Sequence, residues 1–336
     1  MRYIMLLIVS LLLILSCKDK KRKKLYIILS GVFLVVYSTF RAYIGGNVVV
    51  GNDYHSYQTW FNSIQHINIM RFNNFAFNIF MYIIKSLTNS YLLFIFLSSL
   101  LFIYSAYRFS LDNTKDNNYV WALYIFISFG IYELGMSAIR QWMAGALFLL
   151  AFKYIREHKF IKYALMIFLA SMFHNSALIL IFVYPFINIK LSLKTKTIIT
   201  AIGTILLTIA LKYNLDLFFI SLIDPTYLLK YQEVSKELLS NYTVFIISMS
   251  CFLAVILFLN VYKKKAKDFN IEISYLIMLV ALSFLATKSA LCCRFLQYFM
   301  PALMLVIPGI INVFNSNFKK IVSVCAVIVL LLIFMM

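Results

Sequence analysis

The sequence predicts an all-α protein: a polytopic bundle of about 12 transmembrane spans, forming a single integral membrane domain over residues 1–336. Three observations predict it. Hydrophobic residues make up 63% of the chain and charged residues only 13%, whereas soluble domains are nearer half apolar and a quarter charged. Apolar runs of about 17–25 residues recur between short polar links, which is the length a helix needs to cross a bilayer. The runs are continuous rather than alternating, which argues against a β-barrel.

The elements follow in order. The first run, 2–17, resembles a signal peptide, and "ILSC" resembles a lipoprotein cleavage site. Leu15 stands where a small residue is normal, however, and "KDKKRKK" (18–24) follows directly, so an uncleaved first helix is expected. Further spans are expected near 25–43, 91–109, 119–136, 139–155, 160–173, 176–189, 197–212, 242–262, 271–288, 295–313 and 320–336. The sixth and seventh are short and read as a broken hairpin around His174. Residues 73–88, "NNFAFNIFMYIIKSLT", are also apolar. A crossing there would put "KYIREHKFIK" outside, so a re-entrant or interfacial helix on the outer face is expected instead.

The net charge of +19 invites a nucleic-acid reading. The distribution of the charge rejects it. Two thirds of the 31 Lys and Arg residues fall in the links 18–24, 108–118, 153–162, 190–196, 262–270 and 315–320, while only five of the 12 acids do. This is the positive-inside pattern, which places those links in the cytoplasm and both termini outside. Two long outer loops result, 44–90 and 213–241. The second spaces its apolar residues as an amphipathic surface helix would, with a turn at Asp224-Pro225. The five cysteines have neither zinc-site nor disulfide spacing, and there is no Gly-rich phosphate loop. No metal or other cofactor is expected.

The polar residues collect on the outer side. They are Arg41, Asp53, His55, Glu133, Arg140-Gln141, His174 and Arg294, with Tyr54, Tyr57 and Trp60 close by in sequence. Each has a plain explanation. Arg41 can snorkel, Asp53 can cap a turn, Arg294 can anchor at the interface, His174-Asn175-Ser176 can cap a helix, and the aromatics can form a belt. Together they say more, because they converge on one face from distant parts of the chain. Arginine's planar fork suits phosphate and pyrophosphate oxygens. A carboxylate or imidazole beside it suits removal of a proton from a hydroxyl.

At these residues the chain resembles the Wzy-type polysaccharide polymerases of bacteria, and within them the EpsG-like branch. Four stretches carry the resemblance: "FRAYIGGNVVVGNDYHSY", "SAIRQWMAGALFLLAFKYI", "FLASMFHNSALILIF" and "CCRFLQYFMPALMLVIP". The insert "GGNVVV" lengthens the spacing between Arg41 and the loop at Gly51. The resemblance implies a metal-independent membrane glycosyltransferase of the bacterial cytoplasmic membrane. It would join undecaprenyl-pyrophosphate-linked oligosaccharide repeats on the outer face, building O-antigen, capsule or exopolysaccharide. The chemistry of the residues makes Arg140 and Arg294 the candidates at the pyrophosphate, with Arg41 third, and Asp53 or His174 the base. Arg41, Tyr54, His55, Tyr57, Gln141 and Tyr298 would contact substrate. A flippase and a chain-length regulator of the same pathway are the implied partners, beside the lipid bilayer. A lipid-linked oligosaccharide flippase and an O-antigen ligase are the alternative functions. The flippase fits less well, because most spans lack ionisable residues at mid-depth.

Overall fold

The structure, a computed structural model, describes residues 2–44, 53–64, 74–213, 240–314 and 316–335. Every regular element among them is helical, as expected. The loop at Gly51 and almost all of 213–241, including Asp224-Pro225, lie outside the described residues. The chain divides into two compact units, Met1–Tyr184 with Val324–Met336, and Pro185–Ser323.

The first unit contains α1 (Arg2–Lys18), α2 (Lys23–Thr39), α3 (Arg41–Ile44), α4 (Tyr54–Ser63), α5 (Phe75–Thr88), α6 (Tyr91–Asn113), α7 (Tyr119–Ser128), α8 (Ile131–Ser137), α9 (Ile139–Arg156) and α10 (Phe160–Phe173). Helix α9 lies at its centre. Its sequence "MAGALFLLAF" is apolar on every side, and residues Ile139 and Gln141 through Leu149 are all buried, as a helix without a polar face must be. Around it Phe102 packs on Phe126 and Trp142, and Phe109 on Phe152. Serines inside the helices bond back to their own backbone, for example Ser98 to Phe94 O and Ser110 to Ala106 O at 2.8 Å each. Such bonds let a hydroxyl sit in an apolar interior without an orphaned donor. Others tie helices together: Ser38 to Ser99 at 2.7 Å, and the Tyr132 hydroxyl to Leu34 O at 2.8 Å.

Several expected spans are broken or short. The fourth bends by 50° where Gly130, at φ 75°, separates α7 from α8, a backbone conformation that costs glycine nothing. Residues 160–188 form the hairpin around His174. Helix α10 and a 3-10 helix at Asn175–Phe182 run side by side, the latter continuing into α11 (Val183–Asn188). The Tyr163 hydroxyl donates to Leu180 O at 2.5 Å, and Phe160 and Tyr163 both pack on Tyr184. Fourteen residues of α10 span only about 21 Å, short of a hydrocarbon core of roughly 30 Å. Among the described residues three helices are individually long and apolar enough to cross a membrane, or up to six when each bent pair counts as one span.

The second unit contains α12 (Leu193–Lys212), α13 (Ser240–Leu257), α14 (Leu259–Lys265), α15 (Phe269–Ala286), α16 (Ala290–Phe299), α17 (Ala302–Ile311) and the start of α18 (Ser316–Met335). Helix α15 is its buried centre. The turn between α14 and α15 is held by Glu272, which accepts from the Tyr262 hydroxyl at 2.5 Å and from Lys267 N–H at 2.8 Å.

Each unit has two chemically distinct ends. In the first, the basic links lie together. Lys23 reaches Asn117 Oδ1 at 3.4 Å and the Tyr119 ring at 4.7 Å, and Arg156 donates to Asp112 O. Arg41, α4, the start of α6 and the α8–α9 junction lie at the other end of α6 and α9. In the second unit Lys196 donates to Ser274 Oγ at 2.9 Å, near the start of α15, the end that Lys263–Lys267 precede in sequence. Arg294 follows the opposite end of that helix.

Candidate functional site

The site in the first unit is built on α4. Its sequence "YHSYQTWFNS" puts Tyr54, Tyr57 and Phe61 on one buried stripe and leaves His55, Ser56, Thr59, Asn62 and Ser63 exposed, as three- and four-residue spacing requires. The stripe joins an aromatic cluster with Phe77, Tyr91 and Phe94. Two further contacts anchor the helix. The Tyr91 hydroxyl donates to Tyr54 O at 2.8 Å. Lys85, from α5, donates to Phe61 O at 2.9 Å and Asn62 O at 2.5 Å. Those carbonyls close the C-terminal end of α4, where backbone acceptors and the helix dipole favour a cation. Helix α5 thus packs beneath α4. At 14 residues it spans about 21 Å, too short to cross the bilayer as a straight helix.

Two arginines lie against the same helix. Arg41 has 1% of its surface exposed. Its Nη1 donates to Ser38 O at 2.7 Å and its Nη2 to Met136 O at 3.0 Å, with the guanidinium 5.0 Å from the centre of the Tyr54 ring. Burial pushes the Tyr54 phenol above its ordinary pKa, with the Arg41 charge opposing the shift. Beside Arg41 a cavity with room for about one water is lined by Ser38, Ser98, Ser99 and Trp142.

Arg140 opens the first turn of α9, immediately after the break at Ala138. Its guanidinium lies 5.0 Å from the Trp60 ring and 5.8 Å from the Tyr57 ring, which stack on each other at 6.4 Å and 13°. Its Nε is 3.4 Å from the Tyr57 hydroxyl. Asn74 completes the surround. With its carboxamide oriented so that both ends are paired, the nitrogen donates to Phe173 O and the oxygen accepts from Arg140 Nη1, each at 3.1 Å. Among the described residues no carboxylate pairs with Arg140. A guanidinium has five N–H donors; described residues engage two of them, at Nε and Nη1.

These contacts gather four sequence-predicted residues. Arg41 meets Tyr54, Arg140 meets Tyr57, and Asn74 links Arg140 to the carbonyl that precedes His174. Asp53 is exposed one turn before Tyr57, whose N–H bonds to Asp53 O at 2.9 Å. His55 is exposed and sets its ring edge against Tyr54 at 5.4 Å. Gln141 is buried beside Arg140 in sequence. Arg294 and Tyr298 belong to the second unit. Arg294 is half-buried on α16, and Tyr298 is buried with its carbonyl accepting from the Tyr275 hydroxyl at 2.5 Å. Among the described residues no group of three or more His, Cys, Asp or Glu forms a metal-binding set. Asn74 and Lys85 are absent from the sequence-based site. Asn74 was legible only as a polar residue ahead of an apolar run. Trp60, expected in an aromatic belt, was readable as a site residue from its three-residue spacing to Tyr57.

The fold and this end of the first unit define a helical membrane protein whose arginines are framed by aromatic rings. The EpsG family model matches residues 32–336, and the chain belongs to the EpsG family. That membership supports a polymerase of polysaccharide biosynthesis at the level of the family. No curated protein and no solved structure matches the chain.

Proposed function

We propose that this protein is a polysaccharide polymerase of the bacterial cytoplasmic membrane. It joins oligosaccharide repeats carried on undecaprenyl pyrophosphate, with its active site on the outer face. The observation that carries this reading is Arg140: a half-buried guanidinium against two aromatic rings, with donors that no described residue engages and no carboxylate to neutralise it among the described residues. The separation of the basic links from Arg41 and Arg140 within the first unit, and from Arg294 within the second, supports the outward orientation.

In the reaction an acceptor sugar hydroxyl attacks the anomeric carbon of the donor glycan. The new glycosidic C–O bond forms as the bond from that carbon to the pyrophosphate oxygen breaks. The hydroxyl proton passes to Asp53 or His174, and undecaprenyl pyrophosphate departs with the bonding pair. Arg140 stabilises the charge that develops on the leaving group, and Arg294 is the second candidate for that role. The guanidinium needs no metal to do so, which fits a metal-independent enzyme. The exposed face of α4, with His55, and the half-buried Trp60 are suited to the glycan. Buried Tyr54 lies against Arg41, and Arg41 braces the corner that carries Arg140.

The test uses purified protein in detergent with lipid-linked repeats. Elongation without any vesicle supports a polymerase, and repeat transfer across liposomes without elongation supports a flippase. Arg140→Ala and Arg294→Ala should each slow elongation by about 100–1000-fold, the usual loss of a transition-state donor. A normal polymer length distribution from either variant refutes its assignment. In cells lacking the protein, single-repeat caps on the lipopolysaccharide core indicate a lost polymerase, and bare core a lost ligase.

A further inference from the structure

We propose that Asn74 is a positioning residue that holds the Arg140 guanidinium at the angle needed to receive a lipid pyrophosphate, locking it to the His174 corner. The inference rests on the reading of Arg140 as the anion-binding group.

The argument begins with the backbone. Asn74 precedes α5 at φ 64°, a left-handed conformation in which asparagine is several-fold enriched over other non-glycine residues. A residue ahead of a helix usually turns its side chain onto that helix as a cap. The Asn74 side chain makes no such bond. It connects two other helices instead. Its nitrogen serves Phe173 O, at the C-terminal end of α10, where helix carbonyls lack intrahelical partners. Its oxygen then has one orientation, toward Arg140 Nη1.

The consequence is directional. The Tyr57 and Trp60 rings lie against the guanidinium at 5.8 and 5.0 Å, the Tyr57 hydroxyl takes its Nε, and Asn74 takes its Nη1. A carboxamide suits this place, because the two neighbours demand a donor on one side and an acceptor on the other. The next residue after Phe173 is His174, whose N–H is tied to Ala170 O at 3.1 Å and whose carbonyl accepts from Ala177 N–H at 2.9 Å. Arg140 and the imidazole-bearing corner are therefore held in register by one side chain. Preorganised donors of this kind spare reorganisation at the moment of reaction.

The test exploits the backbone conformation. Asn74→Gly keeps the left-handed turn and removes the side chain, while Asn74→Asp tolerates the same turn but offers no donor to Phe173 O. Purified full-length variants in detergent are compared for elongation of lipid-linked repeats and for affinity toward undecaprenyl pyrophosphate. Both substitutions should reduce elongation by about 10-fold or more and weaken pyrophosphate binding, with melting temperatures near wild type. In the Arg140→Ala background, Asn74→Gly should cost nothing further, because the two residues act as one unit. Wild-type elongation by either Asn74 variant, or additive losses in the double variant, overturns the positioning role while leaving Arg140 in place. Undiminished elongation by Arg140→Ala alone overturns the reading on which the inference rests.

Discussion

Replacing Arg41 separates a brace from a substrate ligand. Its guanidinium is almost fully buried and donates to two carbonyls, Ser38 O at the end of α2 and Met136 O in α8. Hydrogen bonds from charged groups contribute about 1.5–3 kcal/mol each. Arg41→Met removes both and keeps much of the side-chain volume, so the loss is about 3–6 kcal/mol before relaxation. Arg41→Lys keeps the charge, but its compact ammonium lacks the fork that spans two acceptors. It should retain one bond and lose about half as much. The assay is thermal unfolding in detergent, run beside elongation of lipid-linked repeats. A brace predicts that stability falls in the order wild type, Lys, Met, and that elongation by the folded fraction falls less steeply. Unchanged melting of Arg41→Met with elongation abolished would refute the reasoning and return Arg41 to direct contact with phosphate.

Three further outcomes are expected. A Cβ on Gly135 would stand 2.0 Å from the Phe102 ring, whereas one on Gly203 meets nothing within 4 Å; Gly135→Ala should destabilise by about 1–3 kcal/mol and Gly203→Ala should stabilise by up to about 1 kcal/mol, and equal melting temperatures would contradict the packing around Phe102. Lys85→Met removes the cation at the end of α4 and should cost about 1–3 kcal/mol locally, seen as faster hydrogen exchange over 54–64; unchanged protection there would show that the aromatic cluster alone holds the helix. Asp53→Asn and His174→Gln separate the two candidate bases: the true one should lower elongation by about 100-fold or more, and full activity in both variants would remove a side-chain base from the mechanism.

The all-helical class and the approximate helix positions were legible in the chain, because a bilayer imposes a length and an apolarity on every crossing. The 160–173 segment shows this well: its expected limits coincide with α10. Sequence alone also located Arg140, His174 and the Tyr54–Tyr57 spacing, since ionisable and aromatic residues stand out against a hydrophobic background. The bends at Gly130 and near Pro301, the 3-10 arm after His174, and the seating of α5 under α4 were decided by tertiary packing. So was the division between the two first-unit arginines. In the sequence, Arg41 and Arg140 are alike. In the folded unit Arg41 is buried and donates to two backbone carbonyls beside the Tyr54 ring, whereas half-buried Arg140 lies against two rings and one carboxamide. Hydrophobicity is a property each residue carries locally, whereas the partners of a guanidinium come from helices distant along the chain and exist only once those helices have packed.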